Sequence, residues 1–269
     1  MGEKQSEYMH AGGRKGRDRL RIMSGVLSAT TSSLLDRLGN MNGWTAVDVG
    51  CGSGDVSFDL ARRVGSQGKV IGLDVDEAQL AIVKAEAQER ALMNISFQAA
   101  DVRMPWPITS ADLAYTRFVL THLPDPLTAL RHACATLKSG GIFVAEDVDM
   151  AGHTCHPPSP AFGFYYDCYL KSARLRGGDP FIGLDLDLLF RKAGFVGVQT
   201  TLVQPFGREG DVKFIPELTM AVMRDGLVSV GIATQHEIDK AISELETLRK
   251  STEVVVFMPR IFQVSGKRP

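Results

Sequence analysis

Three glycines alternate with other residues in a short segment between a predicted strand and a predicted helix. They are Gly50, Gly52 and Gly54, in the sequence VDVGCGSGD that begins at Val47. Glycine lets the backbone turn tightly and lets a ligand approach it closely. The spacing therefore predicts a ligand-binding loop, for which dinucleotides and S-adenosylmethionine compete. A purely structural turn is the alternative.

Two carboxylates, Asp48 and Asp55, flank this loop. They would repel a pyrophosphate, and a dinucleotide loop carries Gly or Ala at the position of Asp55. The sulfonium and ammonium groups of S-adenosylmethionine are cations, which reverses the sign of the interaction. Asp55 could also simply cap the helix beginning at Val56. The loop favours S-adenosylmethionine, and a nicotinamide dehydrogenase is disfavoured.

A further acid ends the next predicted strand, at Asp74, and Val75 follows it. An acid at this distance from a glycine loop accepts hydrogen bonds from a ribose diol. Asp76 precedes a helical pattern and has Gln79 three residues later, so we interpret Asp76 as an N-cap and Asp74 as the ligand-binding acid. The two acids could exchange these roles.

The third predicted strand is followed by Asp101 and Val102. A carboxylate here can accept a hydrogen bond from an adenine amino group while the next backbone N–H contacts the ring. Because the ends of parallel strands share one sheet edge, the glycine loop and the acids after the second and third strands together predict an adenosyl pocket.

Short apolar runs that alternate with helical patterns must position these residues. This alternation is typical of successive βα units and a parallel sheet. The predicted strands are 46–50, 69–75, 95–100, 111–120, 141–148, 196–203 and 254–266, the last interrupted at Pro259. The predicted helices are one or two within 19–38, then 55–65, 77–91, 126–138, 184–195, 211–225 and 234–250. The fold class is α/β, with a doubly wound, mostly parallel seven-stranded sheet.

The chain divides by composition into four segments. Residues 1–43 form an N-terminal helical cap, and 44–148 form the cofactor-binding core. Residues 149–180 are a less regular stretch, rich in Pro, Gly and aromatics, that we interpret as a helical lid insertion. Residues 181–269 complete the sheet and carry a helical insertion at 204–250.

Composition excludes several classes of partner. A net charge of −1 gives no global attraction to nucleic acid or an anionic membrane, and the basic run at 14–21 is interpreted as a solvated helix face. Four scattered cysteines predict neither a disulfide framework nor a zinc site, and the His153 to His156 segment is too short to fold around a metal. No signal peptide or membrane span is expected, so we predict a cytoplasmic protein.

Five segments together resemble the class I S-adenosylmethionine-dependent methyltransferases, especially the branch of ubiquinone and menaquinone C-methyltransferases and small-molecule methyltransferases. They are VDVGCGSGD, VIGLDVDEAQL, QAADV, ADLAYTRFVLTHLPDPLTALRHACATLKSGGIFVAEDVD and LLFRKAGF. Their order is more specific than any one of them. The resemblance covers about Thr45 to Phe195 and implies a Rossmann-like methyltransferase fold.

The resemblance also implies roles for single residues. The three glycines would pass beneath the methionine part of the cofactor, with Asp48 supporting the loop. Asp74 would hold the ribose, and Asp101 with Val102 the adenine. Thr116 and Arg117 would lie beside the methionine carboxylate, where a guanidinium can pair bidentately. The sequence Ala-Tyr-Thr-Arg at 114–117 departs from the Asn/Asp-Pro-Pro-Tyr of nucleobase and glutamine methyltransferases, so such acceptors are not expected.

Methyl transfer is an in-line displacement that needs a base only for some acceptors. Asp149 and His153 are the predicted catalytic groups. Other candidates are Glu146, Asp147, His156 and His10, and the predicted substrate-lid residues are Tyr8, His122, Tyr165 and Tyr166. We expect a small metabolite methylated at O, N or C, and S-adenosylhomocysteine as product. The alternatives are an RNA-modifying methyltransferase and a non-catalytic S-adenosylmethionine-binding protein; a homodimer is compatible with the sequence.

Overall fold

The computed structural model describes residues 14–269, and its centre is a seven-stranded sheet in the order β3-β2-β1-β4-β5-β10-β7. The strands are β1 Thr45–Val49, β2 Lys69–Asp74, β3 Ile95–Ala99, β4 Ala111–Arg117, β5 Leu137–Asp149, β7 Val196–Val203 and β10 Arg260–Lys267. Strands β1 to β5 are parallel, and β10 runs antiparallel to both β5 and β7. The predicted doubly wound, mostly parallel sheet is confirmed.

Helices cover both faces of this sheet. They are α1 Arg14–Asp36, α2 Asp55–Val64, α3 Glu77–Glu89, α4 Pro126–Thr136, α5 Pro160–Leu175, α6 Leu186–Lys192, α7 Ile215–Ser229 and α8 Gln235–Lys250. Successive strand residues serve opposite faces, since Ala46 packs with α1 and α2 while Val47 packs with α4 and α6. Burial on both faces explains why the central strands β1 and β2 are almost continuously apolar.

A second layer lies beside the last strands. Short strands β6 Thr154–His156, β8 Phe206–Gly207 and β9 Val255–Phe257 form an antiparallel sheet in the order β6-β9-β8. Helices α5, α7 and α8 share one apolar cluster that includes Tyr165, Met220 and Leu245. Residues 149–180 and 204–250 therefore pack against each other.

Residues 149–180 contain the helix α5, which occupies 16 of them. Two local predictions differ from the structure. The last predicted strand is two strands in different sheets, β9 and β10, separated at Pro259, which has no N–H to continue a ladder. Strand β4 ends at Arg117, and Phe118 adopts a left-handed φ of 58° before a 3-10 turn at Leu120–His122.

The predicted N-cap at Asp76 is present, since its side chain accepts from Gln79 N. Thr234 and Glu237 form a capping box at α8. Over residues 14–269 the structure has no helix with the length and apolar character needed to cross a membrane.

Candidate active site

The glycine loop joins β1 to α2 at the carboxyl edge of the sheet. Gly50, Gly52 and Gly54 all have positive φ, at 71°, 49° and 78°. A Cβ on Gly50 would lie 2.3 Å from Val119 Cγ2, and one on Gly54 would lie 2.5 Å from Val83 Cγ1. Conformation and close packing both demand glycine here, so the backbone itself lines this edge.

Asp74 ties the end of β2 to the glycine loop. Its Oδ2 accepts a hydrogen bond from Gly52 N at 2.8 Å, and its Oδ1 accepts one from Asp76 N at 3.0 Å. Burial raises the pKa of Asp74, which is 8% exposed, and the backbone donors oppose that shift. Each oxygen retains lone-pair capacity for a ligand hydroxyl. Val75, beside it, is 47% exposed at the same edge.

Asp48 lies beneath the loop instead of in it. Its carboxylate accepts from the Ser57 hydroxyl of α2 and is buried, and this burial raises its pKa to about 6. Asp55 is the first residue of α2 and accepts from Ser53 Oγ at 2.5 Å. The interpretation of Asp55 as a side-chain cap is wrong, because Gly54 occupies the N-cap position and no side-chain cap bond forms.

The loop after β3 borders a small apolar slot. Arg103 donates to Asp101 through Nη2, at 2.8 Å from Oδ2, and holds the pKa of that carboxyl below its usual range. Val102 lines a cavity of about 10 Å³, which holds about one water. The other lining residues are Val49, Trp106, Thr116, Val119, Leu120, Ala129 and Phe143. An adenine ring entering here would have to part these side chains.

The two residues that end β4 differ in whether their side chains are free to bind a ligand. Thr116 is buried and its hydroxyl donates to Val49 O at 2.9 Å, so its side chain is already engaged within the sheet. Arg117 donates to the hydroxyls of Thr31 and Ser24, at 3.2 and 3.0 Å. Among residues 14–269 no carboxylate lies within ion-pairing distance of Arg117, which leaves this guanidinium able to pair with an anionic group.

Helix α1 covers the site, and sequence reasoning missed its contribution. Leu20 Cδ1 lies 3.4 Å from where a Cβ of Gly52 would be, and Thr31 donates to Glu146 Oε2 at 2.7 Å. Gln263 Nε2 donates to the other oxygen of Glu146 at 2.7 Å. The available signal was the seven-residue interval between Ser24 and Thr31, which places two hydroxyls on one helix face.

The two predicted catalytic groups have structural partners. Asp149 is fully buried, accepts from Ala151 N at 3.0 Å and lies 3.0 Å from Arg260 Nη2. His153 donates from Nδ1 to Phe257 O at 2.8 Å and lies 3.2 Å from Tyr165 Oη through Nε2. Burial lowers the pKa of His153 to about 4. Their catalytic assignment stays a prediction. Both side chains already contact other groups of the protein.

The remaining candidates fall on both sides of β5. Asp147 accepts from Thr121 N and Val148 N at 3.0 and 2.9 Å, and burial raises its pKa to about 7. Burial, and then Arg19 and Arg176, lower the pKa of His122 to about 4. Tyr165 is buried on α5, Tyr166 is partly buried there, and His156 is exposed. Tyr8 and His10 lie outside the described residues.

The basic run on α1 is only in part a solvated face, which corrects the sequence interpretation. Arg17 and Arg21 both pair with Glu86 of α3, Arg21 at 2.5 Å, and Arg19 is 6% exposed. The periodicity alone could not show this, because α3 and α7 supply the covering surface. In the described part of the chain, no group of His, Cys, Asp and Glu side chains could hold a metal ion.

Comparison with known proteins agrees with this geometry. A family model described as a methyltransferase domain matches residues 40–159. The chain is 34% identical over 189 residues to demethylmenaquinone methyltransferase of Lactococcus lactis subsp. lactis (strain IL1403), covering 61% of this chain and 71% of that protein. It is 37% identical over 109 residues to aklanonic acid methyltransferase DauC of Streptomyces sp. (strain C5), covering 40% and 50%.

A solved S-adenosylmethionine-dependent methyltransferase from Aquifex aeolicus has the same fold. It matches with a TM-score of 0.52 and 16% identity, over 88% of this chain and 89% of that one. The chain belongs to the class I S-adenosylmethionine-dependent methyltransferases, in the branch that acts on quinones and other small molecules.

Proposed function

We propose that this protein transfers a methyl group from S-adenosylmethionine, bound at the carboxyl edge of β1, β2 and β4, to a small molecule held beneath α1, α5 and α7. The observation that carries the proposal is that Asp74 accepts from Gly52 N while Arg117, at the same edge, has only hydroxyl partners among residues 14–269. The cofactor carries cations and a carboxylate, so acids near the loop and a guanidinium beyond it match its charges.

The described residues divide the binding work. Asp74 accepts from the ribose hydroxyls with the lone pairs that Gly52 N and Asp76 N leave free. The backbone of the glycine loop supports the methionine part, and Asp48 fixes that loop from below through Ser57. Arg117 pairs with the methionine carboxylate, exchanging its neutral hydroxyl partners for a charged one.

The outer part of the cofactor meets the loop after β3. Val102 presents its backbone N–H to the adenine. Asp101, which accepts a hydrogen bond from Arg103, remains available to the adenine at the edge of the same loop. Opening of the slot beside Trp106 would accompany binding, because the cavity there is only about 10 Å³.

When bound, S-adenosylmethionine supplies an electrophilic methyl group on a sulfonium. The acceptor atom forms a bond to that carbon as the carbon–sulfur bond breaks, and the electron pair of that bond stays on sulfur. The protein's part is to hold the acceptor in line and to exclude water. Helix α1 excludes the water, since Leu20 packs over the glycine loop and the hydroxyls of Ser24 and Thr31 on the same helix accept from Arg117.

The relatives indicate the size of the acceptor. The relatives from Lactococcus lactis and Streptomyces are named for demethylmenaquinone and aklanonic acid, both small molecules. The pairing of Arg17 and Arg21 with Glu86 removes two cations that RNA phosphates would need, which favours a small metabolite. The acceptor atom is O, N or C.

Calorimetric titration with S-adenosylhomocysteine and, in parallel, with NADH tests the cofactor assignment. We expect micromolar binding of the first and none of the second; the reverse result would overturn the proposal.

A matched pair of variants localises the site. Gly50→Ala should abolish binding, because its Cβ meets Val119. Gly39→Ala imposes similar backbone strain at φ 85° after α1, with nothing within 4 Å, and should lower only the stability.

A further inference from the structure

Arg19 is a buried guanidinium that has no acidic partner within the described part of the chain. Only 6% of the residue is exposed, yet its one hydrogen bond to a described residue is from Nε to Thr219 Oγ1 of α7, at 2.9 Å. Among residues 14–269, no carboxylate lies within ion-pairing distance of it. Arg17 and Arg21, on the opposite face of α1, both pair with Glu86. A buried charge without a partner is costly, and proteins rarely retain one unless something pairs with it.

A hydrogen bond to α7 fixes this guanidinium, since Nε donates to Thr219 Oγ1. Tyr165 of α5 lies beside both Thr219 and Arg19. Phe257 O can only accept, so His153 carries its proton on Nδ1 and accepts at Nε2 from the Tyr165 hydroxyl. Among the described residues, the terminal Nη1 and Nη2 of Arg19 have no hydrogen-bond partner, which leaves them for a ligand.

The surroundings of Arg19 are aromatic. Tyr165 and Tyr169 of α5 lie beside it, and burial, and then Arg19 and Arg176, lower the pKa of His122 to about 4. Asp147 lies near Tyr169, and its two oxygens already accept from backbone N–H groups. A ligand that completes this environment has an apolar body and an anionic oxygen.

Arg19 also stands next to the proposed cofactor edge. The following residue, Leu20, packs on Gly52, while Arg19 turns toward α5 and α7. A group held by Arg19 would therefore lie between the glycine loop and the helices that cover it.

We propose that Arg19 binds the methyl acceptor through an acidic oxygen, a carboxylate or an ionised enol or phenol on a largely apolar molecule. Nη1 and Nη2 donate to this oxygen or pair of oxygens, while Thr219 fixes the plane of the guanidinium. This assignment rests on the proposed function, because it names the acceptor class of the same site.

The test is calorimetry on the full chain saturated with S-adenosylhomocysteine, using 2-naphthoate as the anionic probe and 2-naphthamide as its neutral counterpart. We expect the wild type to bind the acid at least about tenfold more tightly than the amide, a difference of about 1.4 kcal/mol. Arg19→Gln and Arg19→Met should lose that preference. Arg21→Gln, which removes a cation paired with Glu86, should keep it.

Thermal unfolding tests whether Arg19 has a structural role instead, because removing a structural residue would lower the Tm. Arg19→Met leaves no buried acid behind, so its Tm should equal or exceed that of the wild type. If that variant does not fold, Arg19→Lys keeps the charge but loses the planar fork, and a reduced preference is expected.

Equal affinities for acid and amide in the wild type, including no detectable binding of either, would overturn the assignment. So would a preference that survives in Arg19→Gln. Failure of S-adenosylhomocysteine itself to bind would instead overturn the proposed function, so the two failures are distinguishable.

Discussion

Asp74→Asn separates the proposed ribose acid from an ordinary turn residue. Asp74 accepts two backbone N–H groups, from Gly52 and Asp76. Asparagine has one acceptor oxygen where aspartate has two. Its side-chain NH2 group would therefore face one of these two backbone N–H donors, and that hydrogen bond would be lost. Losing a hydrogen bond to a charged group costs about 1.5–3 kcal/mol. If the ribose uses the same carboxylate, the affinity for S-adenosylhomocysteine should fall about 10- to 150-fold.

The loss should also be visible without ligand, because the loop bond is part of the fold. For a chain of this size each kcal/mol lowers Tm by about 2–4 °C. Calorimetry well below the Tm of the variant measures affinity, and a thermal scan measures stability.

Asp76→Asn is the matched control. It makes the same charge change two residues away, at an N-cap where Asn serves as well as Asp. Folded Asp74→Asn protein that binds S-adenosylhomocysteine as tightly as the wild type would refute the ribose assignment.

Three further predictions use spectroscopy, unfolding and kinetics. The chain has two tryptophans, Trp44 and Trp106. Trp106 lines the apolar slot, so S-adenosylhomocysteine should change tryptophan fluorescence in the wild type and in Trp44→Phe but not in Trp106→Phe. Asp147 has a folded pKa of about 7, above its unfolded value, so its contribution is present at low pH and lost as pH rises through 7. Urea unfolding at pH 5 and 8 should show the wild type losing stability relative to Asp147→Asn, and parallel curves would contradict this. Arg117→Met should raise KM for S-adenosylmethionine with less effect on kcat, and an unchanged KM would argue against its pairing with the cofactor carboxylate.

The central sheet could be predicted from the sequence because its signals are local. The apolar runs of β1 and β2 and the glycines between β1 and α2 specify a βα unit without any knowledge of distant residues. The capping pair Asp76 and Gln79 likewise marked the start of α3. Each of these signals lies within a few residues of the structure that it predicts.

The covering layer could not be predicted in the same way, because its partners are far apart in sequence. The burial of Arg19 depends on Thr219, 200 residues away, and the hydroxyl of Thr31 meets Glu146 across 115 residues. A periodicity analysis sees only that α1 carries basic and polar residues. It cannot distinguish an arginine that faces solvent from one that faces another helix, and for that reason the basic run was misinterpreted.

The state of the two site histidines bears on how the acceptor becomes a nucleophile. His122 and His153 both have pKa values near 4, so neither changes charge between pH 6 and 8. Since both nitrogens of His153 are also in contact with fixed partners, removing it should act on stability. His153→Gln should therefore lower Tm while leaving the shape of the kcat against pH profile between pH 6 and 8 unchanged.

An acceptor with an acidic oxygen removes the need for such a base. A guanidinium beside an enol or phenol lowers the acceptor's own pKa, so the nucleophile ionises on binding and releases its proton to solvent. The rate would then follow the ionisation of the acceptor, shifted downward by Arg19, and Arg19→Gln should move the rising limb of the profile to higher pH. A limb that stays in place in Arg19→Gln but disappears in His153→Gln would show instead that the histidine takes the proton.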